Sequence, residues 1–168
     1  MLTLANHPVK TVDIKVRTEY HGPDEVTVLH LRVTAQVSNL ELAQLSSTLC
    51  SALFVPPDEE DLVLDALFRP RVRNPELGIL RWDNGKEPAS FRVHVNGKPS
   101  DDIAFPGATL KTTSILPQEG GTCRVTYPIS VQPTEAEAAR LLMLLKHETH
   151  ATLQEAEELS ELEIVSAG

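Results

Sequence analysis

The stretch that most constrains the fold is residues 120–153, GGTCRVTYPISVQPTEAEAARLLMLLKHETHATL. Gly120 and Gly121 mark a tight turn, because glycine reaches the positive φ values that hairpin turns need. Beyond them Cys123, Val125, Tyr127, Ile129 and Val131 share one parity and would line one face of an extended chain. Thr122, Arg124, Thr126, Ser130 and Gln132 make the other face polar. Pro128 has no amide proton to give to a ladder, so this strand is expected at an edge or bulged there. Next, Thr134-x-x-Glu137 has the form of a capping box, and Ala138, Leu141, Leu142 and Leu145 recur at helical spacing. Glu135 and Glu137 suit the positive end of that helix, Lys146 and His147 the negative end. The helix is expected to stop near His147. Thr149, Ala151 and Leu153 then alternate with polar residues as a short strand would, the alternative being a helix that runs on into the tail.

The rest of the chain repeats the theme of paired strands. Residues 10–20 place Val12, Ile14 and Val16 on one face, and residues 26–37 do the same with Leu29, Leu31, Val33, Ala35 and Val37. His21-Gly22-Pro23-Asp24 between them reads as a turn, so the two form an N-terminal hairpin. Ser38-x-x-Glu41 suggests a second capping box, opening a helix through Leu42, Leu45, Leu49 and Leu53 that Pro56-Pro57 ends. A short further helix is expected from Asp58 to about Ala66. Residues 68–82 are irregular, with a strand near 79–82. Further strands are expected at Phe91 to Val95, ending at Asn96-Gly97, and near 103–105 and 109–116. This predicts an α+β domain: a mainly antiparallel sheet of six to eight strands with two or three helices packed on it. Residues 1–154 form the domain and residues 155–168 an acidic, mobile tail.

At 168 residues one domain can bury a core without metal or disulfide help. No apolar run is long enough to span a bilayer, and the first residues lack the pattern of a secretory signal, so a cytoplasmic protein with no membrane partner is expected. Cys50 and Cys123 read as buried reduced thiols. Five of the net nine negative charges sit on Glu155, Glu157, Glu158, Glu161 and Glu163. An acidic body argues against broad binding to nucleic-acid backbone, which needs a positive surface.

The chemistry-bearing motifs are few. His147-Glu148-Thr149-His150 falls one residue short of the zinc-protease spacing, and His7, His21, His30 and His94 are scattered, so no metal site is drawn. The acidic run Asp58–Asp61 and the pair Asp101-Asp102 read as solvated faces or helix starts. Neither a nucleophile motif nor a phosphate-binding glycine loop is present, and no cofactor or catalytic residue is assigned. Arg69, Arg71, Arg73 and Arg81 fall close together, with Trp82 at one end of the cluster. Arginine forks bind phosphates or carboxylates, and an aromatic ring can stack on a base. Against that stands a plainer reading, in which these arginines pair with Asp58–Asp61 and Trp82 lies in the core.

Gly78-Ile79-Leu80-Arg81-Trp82-Asp83, then Gly120-Gly121-Thr122, then Pro133 followed by Glu137 and Arg140-Leu141, resembles a group of small uncharacterised proteins encoded by tailed bacteriophages of proteobacteria. The likeness covers the C-terminal half and carries no active-site pattern. It implies a phage or prophage protein made in the bacterial cytoplasm, and neither a fold nor an activity. Two functions follow as expectations. The favoured one is a non-enzymatic binding protein, an accessory factor acting on a host or defence component, with the acidic tail as one docking element. The alternative is a nucleic-acid-associated protein of phage replication or recombination, gripping single strands through Arg69, Arg71, Arg73, Arg81 and Trp82. Homo-oligomers are compatible with either.

Overall fold

The computed structural model describes residues 1–55 and 70–156. A mainly antiparallel sheet dominates, as the alternation predicts, and it closes on itself. Its strands are β1 (Leu4–His21), β2 (Asp24–Ser38), β5 (Leu80–Trp82), β6 (Glu87–His94), β7 (Ile103–Leu110), β8 (Thr113–Gln118), β9 (Thr122–Val131) and β10 (Glu148–Glu155). The order is β2-β1-β10-β6-β7-β9-β8-β5, and a further pairing of β2 with β9 completes a six-stranded barrel from which β8 and β5 continue as a flap. A small ribbon of β3 (Phe54–Val55) and β4 (Arg71–Val72) forms a second sheet that packs on it, with Phe54 in the core. The described helices are α1 (Leu49–Leu53) and α2 (Glu135–Met143), with 3-10 turns at Asn39–Gln44, Pro75–Leu77 and Pro99–Asp101.

β9 explains the closure. Its five apolar residues from Cys123 to Val131 are all buried, so one full face belongs to the barrel interior. Along one side it pairs β2 from Leu29↔Val131 to Ser38↔Thr122; along the other it meets β7 at Leu110↔Ile129 and β8 at Ser114↔Thr126. The expectation of an edge strand is therefore corrected. Pro128 lies in the barrel wall, and the irregularity it demands falls in its neighbour. The Pro128 carbonyl accepts from the Lys111 amide at 3.3 Å. In an antiparallel strand a residue's nitrogen and carbonyl point to the same side, so the proline nitrogen faces the break between β7 and β8, where the Lys111 carbonyl accepts instead from Asn84 Nδ2 at 2.7 Å.

β1 and β2 make a hairpin closed by Gly22-Pro23, with Gly22 at φ +69°. One detail departs from the sequence reading. The register slips between Thr11 and Asp13, so Val9 and Thr11 face the interior, Val12 is the inserted residue, and Ile14 and Val16 resume the inward side. The first helix is also broken. Ser38 caps Leu40 alone, a 3-10 turn follows, and Ser46-Ser47-Thr48 separates it from α1; Ser46 Oγ accepts from the Thr48 amide and Ser51 Oγ donates to the Thr48 carbonyl. Such hydroxyls offer the backbone an alternative to the helical bond. The helix expected from Asp58 lies outside the described residues. By contrast the Thr134 capping box forms with both bonds, and β10 settles the open choice at 149–153 as strand. Glu155, assigned to the tail, closes β10 opposite Ala89.

The barrel is filled by side chains. Near the end where β1 and β9 begin, Leu2 and Leu42 are fully covered, and the Tyr127 hydroxyl donates to the Leu2 carbonyl at 3.1 Å inside the core. Burial, with a smaller contribution from Glu41, pushes the phenol far above its ordinary pKa. At the other end α2 spans from β9 to β10, burying Leu141, and the Lys146 amide donates to the Thr11 carbonyl. Cys50 and Cys123 are both free, and burial raises the Cys123 thiol to about 11, with Cys50 adding to the effect. No described helix is long and apolar enough to cross a membrane. Tyr127→Phe leaves the Leu2 carbonyl without its buried donor and should cost about 1–3 kcal/mol in urea unfolding; an unchanged midpoint would show that the N-terminal segment is held by packing alone.

Candidate functional site

The arginine cluster is dispersed by the fold. Arg69 lies outside the described residues. Arg71 is exposed on β4, while Arg73 donates from Nε to the Ser51 carbonyl at 3.1 Å and from Nη2 to the Phe54 carbonyl at 3.4 Å, tying the ribbon to α1. Arg81 and Trp82 are successive residues of β5, so they point to opposite sides. Arg81 is exposed, whereas Trp82 is partly buried and packs on the core. Of the tail glutamates only Glu155 is described, at the end of β10; Glu157, Glu158, Glu161 and Glu163 lie outside. The acids Asp58–Asp61, proposed as partners for the arginines, lie outside as well.

The barrel carries an arm. β1 pairs β10 only through Leu4 to Lys10, and β2 pairs β9 only from Leu29 onward. The hairpin continues past both, so five residues per strand, Arg17–His21 and Asp24–Val28, or about 17 Å, extend as a two-stranded ribbon. Among the described residues the outer edge of β1 from Asp13 to His21 has no ladder partner. Residues opposite one another share a face, so Ile14, which packs on the core, and then Val16, Thr18 and Tyr20 continue the inward side of Leu29 and Leu31. There Val16 is 63% and Tyr20 71% exposed. Leu142 and Met143 near the end of α2 are exposed too. The rest of that face carries Thr18, Thr27 and Glu25; a lone two-stranded ribbon is marginal in water, and exposed apolar side chains on one offer contact area to a partner.

Two histidine clusters sit on the outer wall, and neither was legible from spacing. In the first, Asp102 Oδ2 lies 3.0 Å from His94 Nδ1, and His94 Nε2 lies 2.7 Å from Thr152 Oγ1, which also accepts from the Asn6 amide at 3.1 Å. With Nδ1–H given to the carboxylate, Nε2 accepts the threonine proton. Arg92 and the Val95 amide complete the ring around Asp102. Partial burial acts to raise the Asp102 pKa, but the bonds from His94, Val95 and Arg92 outweigh it and hold the carboxyl below its ordinary range. The order of groups resembles a nucleophile, base and acid. Thr152 is however engaged on both sides, by Asn6 and by His94. The arrangement works as a latch joining the loop after β6 to β10 and to the bulge of β1. Beside it opens a cleft of about 470 Å³ that includes Asn6, Asn96, Glu148 and His150.

In the second cluster Ser130 Oγ lies 2.8 Å from His30 Nδ1, while His30 Nε2 is buried without a hydrogen-bond partner, the Glu19 carboxylate standing 3.7 Å away. Burial lowers the His30 pKa, Lys111 and Arg17 lower it further, and Glu19 opposes them. No group of three or more metal-ligating side chains forms among the described residues.

No family model, characterised protein or solved structure matches this chain. The reading of function therefore rests on the molecule alone. Sequence reasoning missed the arm because edges are a property of pairing. The one available signal was the length of alternation in the hairpin, which exceeds that of every later strand.

Two titrations test the clusters. A depressed carboxylate contributes stability that is complete above its unfolded pKa, about 4, and is lost as pH falls through the lower folded value. Asp102→Asn should thus destabilise the protein at neutral pH, and the gap to the wild type should close in acid; an equal gap at both would show that the charge contributes nothing. For His30 the folded pKa lies below the unfolded value of about 6.5, so protonation of the unfolded chain erodes stability as pH falls from there towards the folded pKa. His30→Asn should flatten urea midpoints across that interval, and an unaltered slope would assign the dependence to other groups.

Proposed function

We propose that the protein is a non-enzymatic binding protein, a phage or prophage accessory factor that engages a host or phage protein through the hairpin arm. The observation that carries this reading is the exposure of Val16 and Tyr20 on a ribbon that extends beyond the barrel. Tyrosine is enriched in the buried centres of protein interfaces, where its ring supplies contact area and its hydroxyl stays paired. The arm also mixes its charges: Lys15 and Arg17 stand between Asp13 and Glu19, and Asp24 and Glu25 follow the turn. A nucleic-acid backbone would favour a uniformly basic surface, so this mixture favours a protein partner. The interior of the barrel, closed and filled by side chains, supports a scaffold role in which the wall holds the arm out.

Val16→Lys with Tyr20→Lys should leave folding intact, since both side chains are exposed, and should remove partners captured from bacterial lysate after nuclease treatment. Quantitative mass spectrometry of the two captures, with thermal midpoints as the folding control, reads the outcome. Identical protein sets on wild type and variant would overturn the assignment of binding to the arm.

A further inference from the structure

The open edge of β1 is self-complementary, and we infer that it pairs antiparallel with the same edge of a second copy, centred on Thr18. This rests on the reading of the arm as the recognition element and adds what its edge does. Which backbone groups face outward follows from the turn. The two-residue turn at Gly22-Pro23 makes His21 and Asp24 a hydrogen-bonded pair, so the odd-numbered residues from 13 to 21 spend their amides and carbonyls on β2. The polar groups of Ile14, Val16, Thr18 and Tyr20 therefore point to the open side. The bond from the Lys146 amide to the Thr11 carbonyl fits, because the slip after Thr11 reverses the parity.

Three two-fold pairings keep like faces together near the middle of the edge, and their side chains separate them. Centred on Val16, the pairing would set Asp13 against Glu19 and Lys15 against Arg17. Centred on Arg17, it would oppose Lys15 and Glu19 twice but set that arginine against itself at the close range of a non-hydrogen-bonded pair. Centred on Thr18, it sets Arg17 against Glu19 twice, Val16 against Tyr20 twice, and threonine against threonine. Opposite-charge, aromatic with β-branched, and threonine pairs are the combinations that stabilise neighbouring strands, and like charges directly opposite destabilise them. Parallel in-register stacking would oppose every charge with its own copy, so the edge admits one antiparallel mate and resists further growth. A two-fold axis normal to the ribbon leaves both apolar faces on the same side. The product is a four-stranded platform carrying two copies of Val16 and Tyr20, which deepens the surface proposed for the partner.

The test uses the full chain. Sedimentation of the wild type across the micromolar range should show a monomer–dimer equilibrium. Arg17→Glu should weaken dimerisation by about tenfold or more, and adding Glu19→Arg should restore it, because the exchanged charges again oppose. Thr18→Cys, in a Cys50→Ser background, should form a disulfide-linked dimer on mild oxidation, since Cα atoms of a hydrogen-bonded antiparallel pair stand about 5.5 Å apart, within the span a disulfide bridges. A wild type that stays monomeric overturns the self-pairing. So does a dimer indifferent to Arg17→Glu, or one that gives no Thr18→Cys cross-link. Loss of captured partners with the Val16 and Tyr20 variant, alongside a monomeric wild type, separates failure of this inference from failure of the binding reading.

Discussion

The pairing of β2 with β9 is the contact on which the rest of the molecule depends. Ten residue pairs run from Leu29↔Val131 to Ser38↔Thr122, joining strands about a hundred positions apart in the chain. Without it the sheet would be open, with two long apolar strands at its edges, a form prone to aggregate. With it, both strands become interior and their inward rows face a common core. Everything outside the wall is then positioned by where this ladder stops. The arm begins where β2 outruns β9, and α2 begins where β9 ends.

The local code of the chain was strong wherever one face was buried. Alternation located β2, β9 and the start of the hairpin, the Thr134 box located α2, and glycine turns marked Gly22, Gly97 and Gly120. What could not be read was which strands would be neighbours. Pro128 shows the limit: a missing amide specifies that some partner is absent at that point, and a gap in the adjacent strand satisfies it as well as an edge does. The Thr11–Asp13 slip was hidden for the same reason, since Val12, Ile14 and Val16 alternate perfectly as text.

Of the candidate site, the sequence offered composition without geometry. Arg73 looks like its neighbours until its guanidinium is found on the carbonyls of Ser51 and Phe54. Likewise Arg81 and Trp82 are adjacent in the chain and for that reason oppositely directed on a strand. His94 and Thr152 were unrelatable until β6 lay beside β10. His30 and Ser130 meet only through the closure of the barrel itself. The latch around Asp102 and the orphaned nitrogen of His30 are both outcomes of long-range pairing, and no spacing rule reaches that far.

Pro128 has one more consequence, for the route by which the barrel forms. Strands with unbroken hydrogen-bonding potential can zip together in several offsets, each separated from the next by a modest barrier. On β9 a single position lacks its donor, and on the facing chain the carbonyl of Lys111 has no need of one, because it accepts from Asn84 Nδ2 at 2.7 Å. Only one offset brings the two defects together. Every other offset strands a carbonyl opposite the proline, so errors in alignment carry a penalty. The proline thus acts as a notch that fits one tooth, and it favours a single alignment of the two strands.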